Sequence, residues 1–116
     1  MENHSLFLST PVVRELESLT RRVGEKIGRR RAKRFSQIVR RVLRKGKVVR
    51  LRRRISICRD PSDNMYLETA WSARAGIIVT RDRDILTLTA DRLRAAGFRR
   101  LEILTPSTFL RRTTLQ

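Results

Sequence analysis

The sequence is poor in the features that mark exported or membrane-spanning proteins. Its one cysteine, Cys58, cannot form a disulfide within the chain, which fits a reducing compartment. No apolar run approaches the ~20 residues that a membrane-spanning helix needs. The N-terminus has neither the basic start nor the apolar stretch of a signal peptide. We therefore expect a cytoplasmic protein with no membrane partner.

Glycine, proline and aromatic residues are also scarce, with 5 Gly, 3 Pro and 5% aromatics. No Gly/Ser/Pro-rich linker and no internal repeat divides the chain. Hydrophobic residues make up 40% of it, which is ordinary for a folded protein. With 116 residues, the chain is predicted to form one domain over residues 1–116.

Acidic residues are few, and the positive charge is concentrated in one segment. The chain has 28 Lys and Arg against 11 Asp and Glu, a net charge of +17. Residues 21–54 alone carry 17 Lys and Arg and one acid, Glu25. Such a surface attracts polyanions, so RNA is the expected partner, ahead of an anionic membrane or an acidic protein.

This basic segment is predicted to be helical, with Phe35 and Ile38 on an apolar face that ends at Gly46. Phosphates would bind its cations with strong salt dependence and little sequence preference. A solvated helix face is the alternative explanation. The predicted RNA-binding residues are Arg29, Arg30, Arg31, Lys33, Arg34, Arg40, Arg41 and Arg44.

Strands alternate with helices along the chain, which predicts an α/β fold with three layers and a short parallel sheet. Leu6–Leu8 and Glu102–Leu104 are expected to be short strands. The run Ile77–Val79 is typical of a strand covered on both faces. Helices are expected after Thr10, after Asp63, over Leu86–Ala96 and after Pro106.

Acidic residues follow or precede these strands, where ligands of open α/β sheets bind. Glu15 lies on the helix after the first strand, Asp63 lies at a helix start, and Asp82 and Asp84 follow Ile77–Val79. Carboxylates brought together repel each other unless a cation such as Mg²⁺ or Mn²⁺ neutralises them. Such a metal can activate water for phosphodiester hydrolysis.

Each acid also has a structural explanation. Asp60 and Asp63 suit a turn and a helix N-cap. Asp82 and Asp84 alternate with arginines and could belong to a solvated loop, and Glu15 could be an exposed helix residue. Only their arrangement as a set favours a metal site.

Three segments carry a recognisable pattern: CRDPSDNMYLETA (58–70), GIIVTRDRDIL (76–86) and ILTPSTFL (103–110). They resemble the C-terminal half of PIN-domain proteins, in particular the toxin components of toxin–antitoxin pairs. Upstream, LSTPVVREL (8–16) resembles the family's segment in which a serine begins a helix with an acidic residue.

The resemblance implies a PIN-like three-layer α/β/α fold and a Mg²⁺- or Mn²⁺-dependent single-strand ribonuclease. By position, Glu15, Asp63 and Asp82 would be the catalytic acids and metal ligands, with Asp84 as a further ligand. Thr80 would orient the loop, and Asp60 would be a supporting turn residue. An antitoxin and a second copy of the chain are the partners that this implies besides RNA.

One part of the family pattern has no counterpart in this sequence. The family's central first strand ends in Asp-Thr-Asn and supplies the first acidic ligand, but no such tripeptide occurs here. We therefore expect an N-terminally incomplete domain, or a start further upstream, and a chain with weak or no activity. The alternative function is a non-catalytic basic RNA-binding domain or an antitoxin-binding remnant.

Overall fold

The computed structural model describes residues 5–114, with all side chains except those of residues 23–25, 110, 113 and 114. The described chain forms two compact units, residues 5–50 and 51–114. Short strands alternate with helices, and each described strand pair is parallel. The α/β class predicted from the sequence is therefore confirmed, and the single domain over residues 1–116 stays a prediction.

The unit of residues 5–50 consists of two helices between two short strands. Its elements are β1 (Phe7–Leu8), α1 (Thr10–Lys26), α2 (Arg29–Lys45) and β2 (Lys47–Val48). β1 and β2 pair in parallel, and α1 packs against α2. α1 continues through Gly24, and Gly28 makes the break between the two helices with a φ of 85°.

The apolar faces of this unit meet at Leu8, Val12 and Val39, which are all buried. Gly46 ends α2 as predicted, but in extended rather than left-handed backbone. A Cβ there would overlap the side chain of Leu8, so glycine allows the close approach of β1. The predicted apolar face of α2 was wrong at Ile38, which is 56% exposed because it lies at the border of the cationic side.

The unit of residues 51–114 contains the remaining elements. They are a 3₁₀ turn (Pro61–Asp63), α3 (Asn64–Ala73), β3 (Ile77–Val79), α4 (Arg83–Leu86), α5 (Ala90–Ala95), β4 (Glu102–Leu104) and α6 (Pro106–Thr114). β3 and β4 pair in parallel, with Ile78 opposite Ile103. The strands predicted at these two places are therefore confirmed, as is the helix that begins at Pro106.

The core of this unit is a cluster of buried apolar residues between α3, α5 and the segment before α3. Its members are Ile55, Leu67, Ala70, Leu93, Ala96 and Phe98. The predicted covering of β3 on both faces was wrong, since Ile77 and Ile78 are half-buried and Val79 is 43% exposed. β3 has one strand neighbour only among the described residues, so it lacks the enclosure of a central strand.

The single helix predicted over Leu86–Ala96 was also wrong, because two threonines divide it. The Thr87 hydroxyl donates to the Arg83 carbonyl at 2.7 Å, and α4 ends there. Thr89 caps α5 by accepting the Arg92 N–H at 3.2 Å. Threonine hydroxyls compete with the helical backbone for hydrogen bonds, which explains the break. Gly97 follows the end of α5 and has a φ of 106°.

Residues 51–58 run beside α3 without belonging to a strand, and α3 side chains satisfy their backbone. Asn64 accepts the N–H groups of Ile57 at 3.2 Å and Cys58 at 3.0 Å. Glu68 accepts the Ile55 N–H at 2.9 Å. Ser72 accepts the Arg52 N–H at 2.9 Å. These three acceptors, four residues apart on one helix face, form what we call the α3 acceptor ladder.

No helix in the described part of the chain has the length and apolar character needed to cross a membrane.

We predict that Gly97→Ala lowers the free energy of unfolding by roughly 1–3 kcal/mol. The left-handed backbone disfavours a side chain there, and a Cβ would overlap the Arg53 guanidinium. Gly76→Ala is the matched control, because a Cβ at Gly76 meets open space and its φ is ordinary. Urea denaturation would measure both variants, and equal midpoints for the two would contradict the prediction.

Candidate metal centre

Three carboxylates of the unit of residues 51–114 come together. One oxygen each from Asp63, Asp82 and Asp84 lies within 4.8 Å of the others, and all three residues are half-buried. We call this set the aspartate cluster. Among the described side chains, no other group of three His, Cys, Asp or Glu residues comes as close. The sequence predicted these acids at the ends of separate elements, and the fold brings the three together.

The end of β3 positions two of these acids. The Thr80 N–H donates to the Leu104 carbonyl at 2.9 Å, which extends the pairing with β4 by one residue. The Thr80 hydroxyl then accepts the Asp82 N–H at 3.0 Å. Asp82 in turn caps α4, since its Oδ1 accepts the Asp84 N–H at 2.8 Å. Hydrogen bonds from the Asp82 and Asp84 N–H groups to the Thr80 and Asp82 side chains thus fold this loop, and the role of Thr80 in a functional site stays a prediction.

The 3₁₀ turn before α3 positions the third acid. Asp60 caps this turn through its Oδ1, which accepts the Ser62 N–H at 3.0 Å and the Ser62 hydroxyl at 2.8 Å. Asp63 stands at the N-cap of α3 but makes no capping hydrogen bond with its side chain. The capping explanation therefore holds for Asp60 and is wrong for Asp63, whose carboxylate faces the cluster instead.

The pKa values reflect this crowding. Burial, followed by the negative charges of Asp82 and Asp60, raises the pKa of Asp63 from 3.8 to about 6. Burial, followed by the charges of Asp63 and Asp82, raises the pKa of Cys58 to about 11. By contrast, the hydrogen bonds from Ser62 hold the pKa of Asp60 below its usual range. The cluster is therefore a place where negative charge is held at an energetic cost.

The donor chemistry of the cluster fits a hard divalent cation. Carboxylate oxygens are the ligands that Mg²⁺ and Mn²⁺ prefer, and three of them converge within the reach of one ion. A cation there would remove the repulsion that raises the pKa of Asp63. Asp63, Asp82 and Asp84 are the residues that would hold it.

Glu15, the fourth predicted acid, belongs to the other compact unit. It lies on α1 and forms an ion pair with Arg22 at 2.9 Å on a largely exposed helix surface. Its part in a metal site stays a prediction.

The predicted RNA-binding residues all lie on α2 and are all exposed. We call them the α2 cationic face; they are Arg29, Arg30, Arg31, Lys33, Arg34, Arg40, Arg41 and Arg44. Among the described side chains, no acid forms an ion pair with any of them. Their charge is therefore available to an external anion.

Asn64, Glu68 and Ser72 are the residues that sequence reasoning missed. Asn64 is 8% exposed and fixes the backbone of Ile57 and Cys58 next to the start of α3. Asn64 follows Asp63 directly, so this bond also fixes where the helix presents Asp63. The spacing of four between polar residues on an otherwise apolar helix face is the signal that could have revealed them.

A comparison with protein-family models matches residues 1–84 to the PIN domain. This match covers more than half of the sequence, including Glu15, the α2 cationic face and the whole aspartate cluster. The chain therefore belongs to the PIN domain family, a family of nucleases that generally depend on divalent metals. No curated protein and no solved structure matches the chain.

We predict that, in the metal-free protein, the contribution of Asp63 to the free energy of unfolding falls as the pH rises from about 4 to about 6. In this range the folded state keeps a proton on Asp63 that the unfolded state has already released, because the folded pKa is the higher one. Asp63→Asn should remove this part of the pH dependence. Chemical denaturation in EDTA across the range would measure it, with Asp91→Asn as the control on an exposed acid outside the cluster.

We also predict that Mg²⁺ speeds the alkylation of Cys58. The charges of Asp63 and Asp82 help to raise the pKa of its thiol, so a cation on the cluster should lower that pKa and increase the thiolate fraction. Iodoacetamide labelling at pH 8 should be faster in Mg²⁺ than in EDTA, because the labelling rate follows the thiolate fraction. Labelling that Mg²⁺ does not accelerate, or accelerates equally in Asp63→Asn, would contradict this.

Proposed function

We propose that this protein is a metal-dependent ribonuclease of the toxin type within the PIN family, acting on RNA phosphodiester bonds. The observation that carries the proposal is the aspartate cluster, three carboxylate oxygens within 4.8 Å of one another. Membership of the PIN family supports a nuclease, and the choice of RNA follows from the basic surface of the chain.

In this proposal, Asp63 and Asp82 are catalytic acids and metal ligands, and Asp84 is a further ligand. A bound Mg²⁺ or Mn²⁺ would supply a water of lowered pKa and stabilise the charge on a leaving oxygen. Thr80 holds the backbone of the loop, and Asp60 holds the 3₁₀ turn. Their hydrogen bonds keep Asp82 and Asp63 in place, so that little reorganisation is needed when a cation binds.

Glu15 is the remaining proposed acid, carried over from the family pattern. No Asp-Thr-Asn sequence occurs in the 116 residues, so the first acid of the pattern has no counterpart in the sequence. A site with fewer carboxylates binds a cation less tightly, and we expect weak activity for this reason.

The α2 cationic face is proposed to bind the RNA backbone. Its eight cations carry no ion pairs to described acids, so an RNA phosphate competes with counterions alone. The same exposed charge supports the second candidate function, a basic RNA-binding domain without catalysis. An acidic antitoxin segment is the protein partner that would suit this charge, and a homodimer and a cytoplasmic location complete the proposal.

We predict slow cleavage of single-stranded RNA in Mn²⁺ and none in EDTA. Asp82→Asn should reduce the rate at least about a hundredfold, because it removes a ligand charge while keeping an oxygen that can cap α4. Asp91→Asn, on an exposed residue outside the cluster, should cleave at the parental rate. Glu15→Gln tests the fourth acid against Glu17→Gln, a matched change on the same helix.

Thermal unfolding separates the two functions even where cleavage is slow. Millimolar Mn²⁺ at about ten times its Kd would add roughly 1.4 kcal/mol of stability, or a rise in Tm of about 5 °C. Asp63→Asn should abolish this rise. A protein that ignores Mn²⁺ but binds RNA with a steep dependence on salt would be the non-catalytic RNA binder instead.

A further inference from the structure

A second polar site lies at the other end of the β3–β4 sheet from the aspartate cluster. A cavity of about 550 Å³ opens there, beside Gly76 and Leu101, which precede β3 and β4. Asp82 and Asp84 of the aspartate cluster follow the carboxyl end of β3, so the two sites lie at opposite ends of this strand. The volume is in the range of ~300–1,000 Å³ that is usual for small-molecule sites.

Four arginines from three separate segments line this cavity. Arg52 comes from the segment before α3, Arg74 from the end of α3, and Arg99 and Arg100 from the loop before β4. All four are exposed, and no described acid forms an ion pair with any of them. Four uncompensated guanidinium groups around one cavity repel each other, and a bound anion would relieve that repulsion.

The backbone conformation at the end of α3 does not explain why an arginine occupies position 74. Arg74 has a φ of 54° and a ψ of 37°, the left-handed conformation that favours glycine or asparagine at a helix end. Its place at the rim of the cavity gives this side chain a use that glycine would not have.

The wall of the cavity between these arginines is apolar and aromatic. Phe98 is buried in the core, while Trp71 and Leu101 are half-buried. The Arg53 guanidinium lies over the Trp71 ring, 5.3 Å from its centroid, so this cation already covers one face of the indole. An apolar wall with a ring of guanidinium donors is suited to a ligand with a flat apolar part and an anionic part.

We propose that this cavity binds a nucleotide, with the phosphate on the arginines and the base against the apolar wall beside Trp71. Guanidinium groups match phosphate oxygens in bidentate pairs, and an apolar wall accepts the flat face of any base. An acidic peptide would use the charge but would leave the flat wall without a matching group. The nucleotide could be free or part of an RNA strand, and both present the same chemistry.

Binding of a nucleotide in this cavity requires neither a bound metal nor RNA cleavage. Only the case in which the nucleotide belongs to an RNA strand rests on the proposed ribonuclease function. The test therefore uses EDTA and ligands that are not cut. Trp71 is the only tryptophan of the chain, so its fluorescence reports on the cavity directly. The probes are AMP, a tetra-adenylate, inorganic phosphate and a hexaglutamate peptide.

AMP or the tetra-adenylate should change Trp71 fluorescence in a saturable way. Arg74→Gln/Arg100→Gln should weaken this binding at least about tenfold. Arg14→Gln/Arg21→Gln removes the same charge from exposed positions on α1 and should weaken it less than threefold. Asp82→Asn should bind as tightly as the parent, which keeps a failure of the nuclease proposal separate from a failure of this one.

Tighter binding of AMP than of tetra-adenylate would identify a free nucleotide, and the reverse would identify an RNA strand; either supports the proposal. Three results would overturn it. These are an unchanged Trp71 signal with both nucleotides, equal weakening in the two double variants, and binding of phosphate or hexaglutamate as tight as that of the nucleotides.

Discussion

The unit of residues 51–114 depends on the α3 acceptor ladder. Residues 51–58 have no strand partner among the described residues, and Asn64, Glu68 and Ser72 accept the N–H groups of Arg52, Ile55, Ile57 and Cys58. A typical hydrogen bond contributes about 0.5–1.5 kcal/mol, so the ladder helps to hold this segment over the core at Ile55. It also sets the positions of Cys58 near the aspartates and Arg53 on Trp71.

The aspartate cluster differs from the α3 acceptor ladder, since its carboxylates repel one another. The loop after β3 is folded by Thr80 and Asp82, and the 3₁₀ turn by Asp60. These local hydrogen bonds hold the acids close whether or not a cation is bound. Burial and these neighbouring charges together raise the pKa of Asp63, and such a raised pKa is a common property of sites prepared for a charged ligand.

Most of the fold and part of the site could be predicted from the sequence. The position of Asp82 and Asp84 after a β-branched run was enough to predict that they lie at the site, because ligands bind beyond the carboxyl ends of parallel strands. The division of roles between Asp60 and Asp63 could not be predicted, since both have spacings that suit a cap. Only the hydrogen bonds of Ser62 distinguish them.

Other features could not be predicted, because sequence patterns mainly reflect interactions between residues that are close in the chain. The break at Thr87–Thr89 depends on which hydroxyl finds a backbone partner, and the apolar residues around it keep a helical spacing. The arginine cavity joins Arg52, Arg74 and Arg100, which are far apart in the chain and lie among many other arginines. Composition alone offered no means of telling these arginines from the rest.

The orientation of α3 has an electrical consequence. Asp63 stands at its N-terminus and Arg74 at its C-terminus, about 15 Å apart for a helix of this length. Each charge thus complements the partial charge of the helix end where it lies. These full charges oppose the helix macrodipole and exceed its partial charges of about one half, so the axis of α3 has a net negative end at Asp63 and a net positive end at Arg74. An anion is therefore attracted to the Arg74 end of the helix.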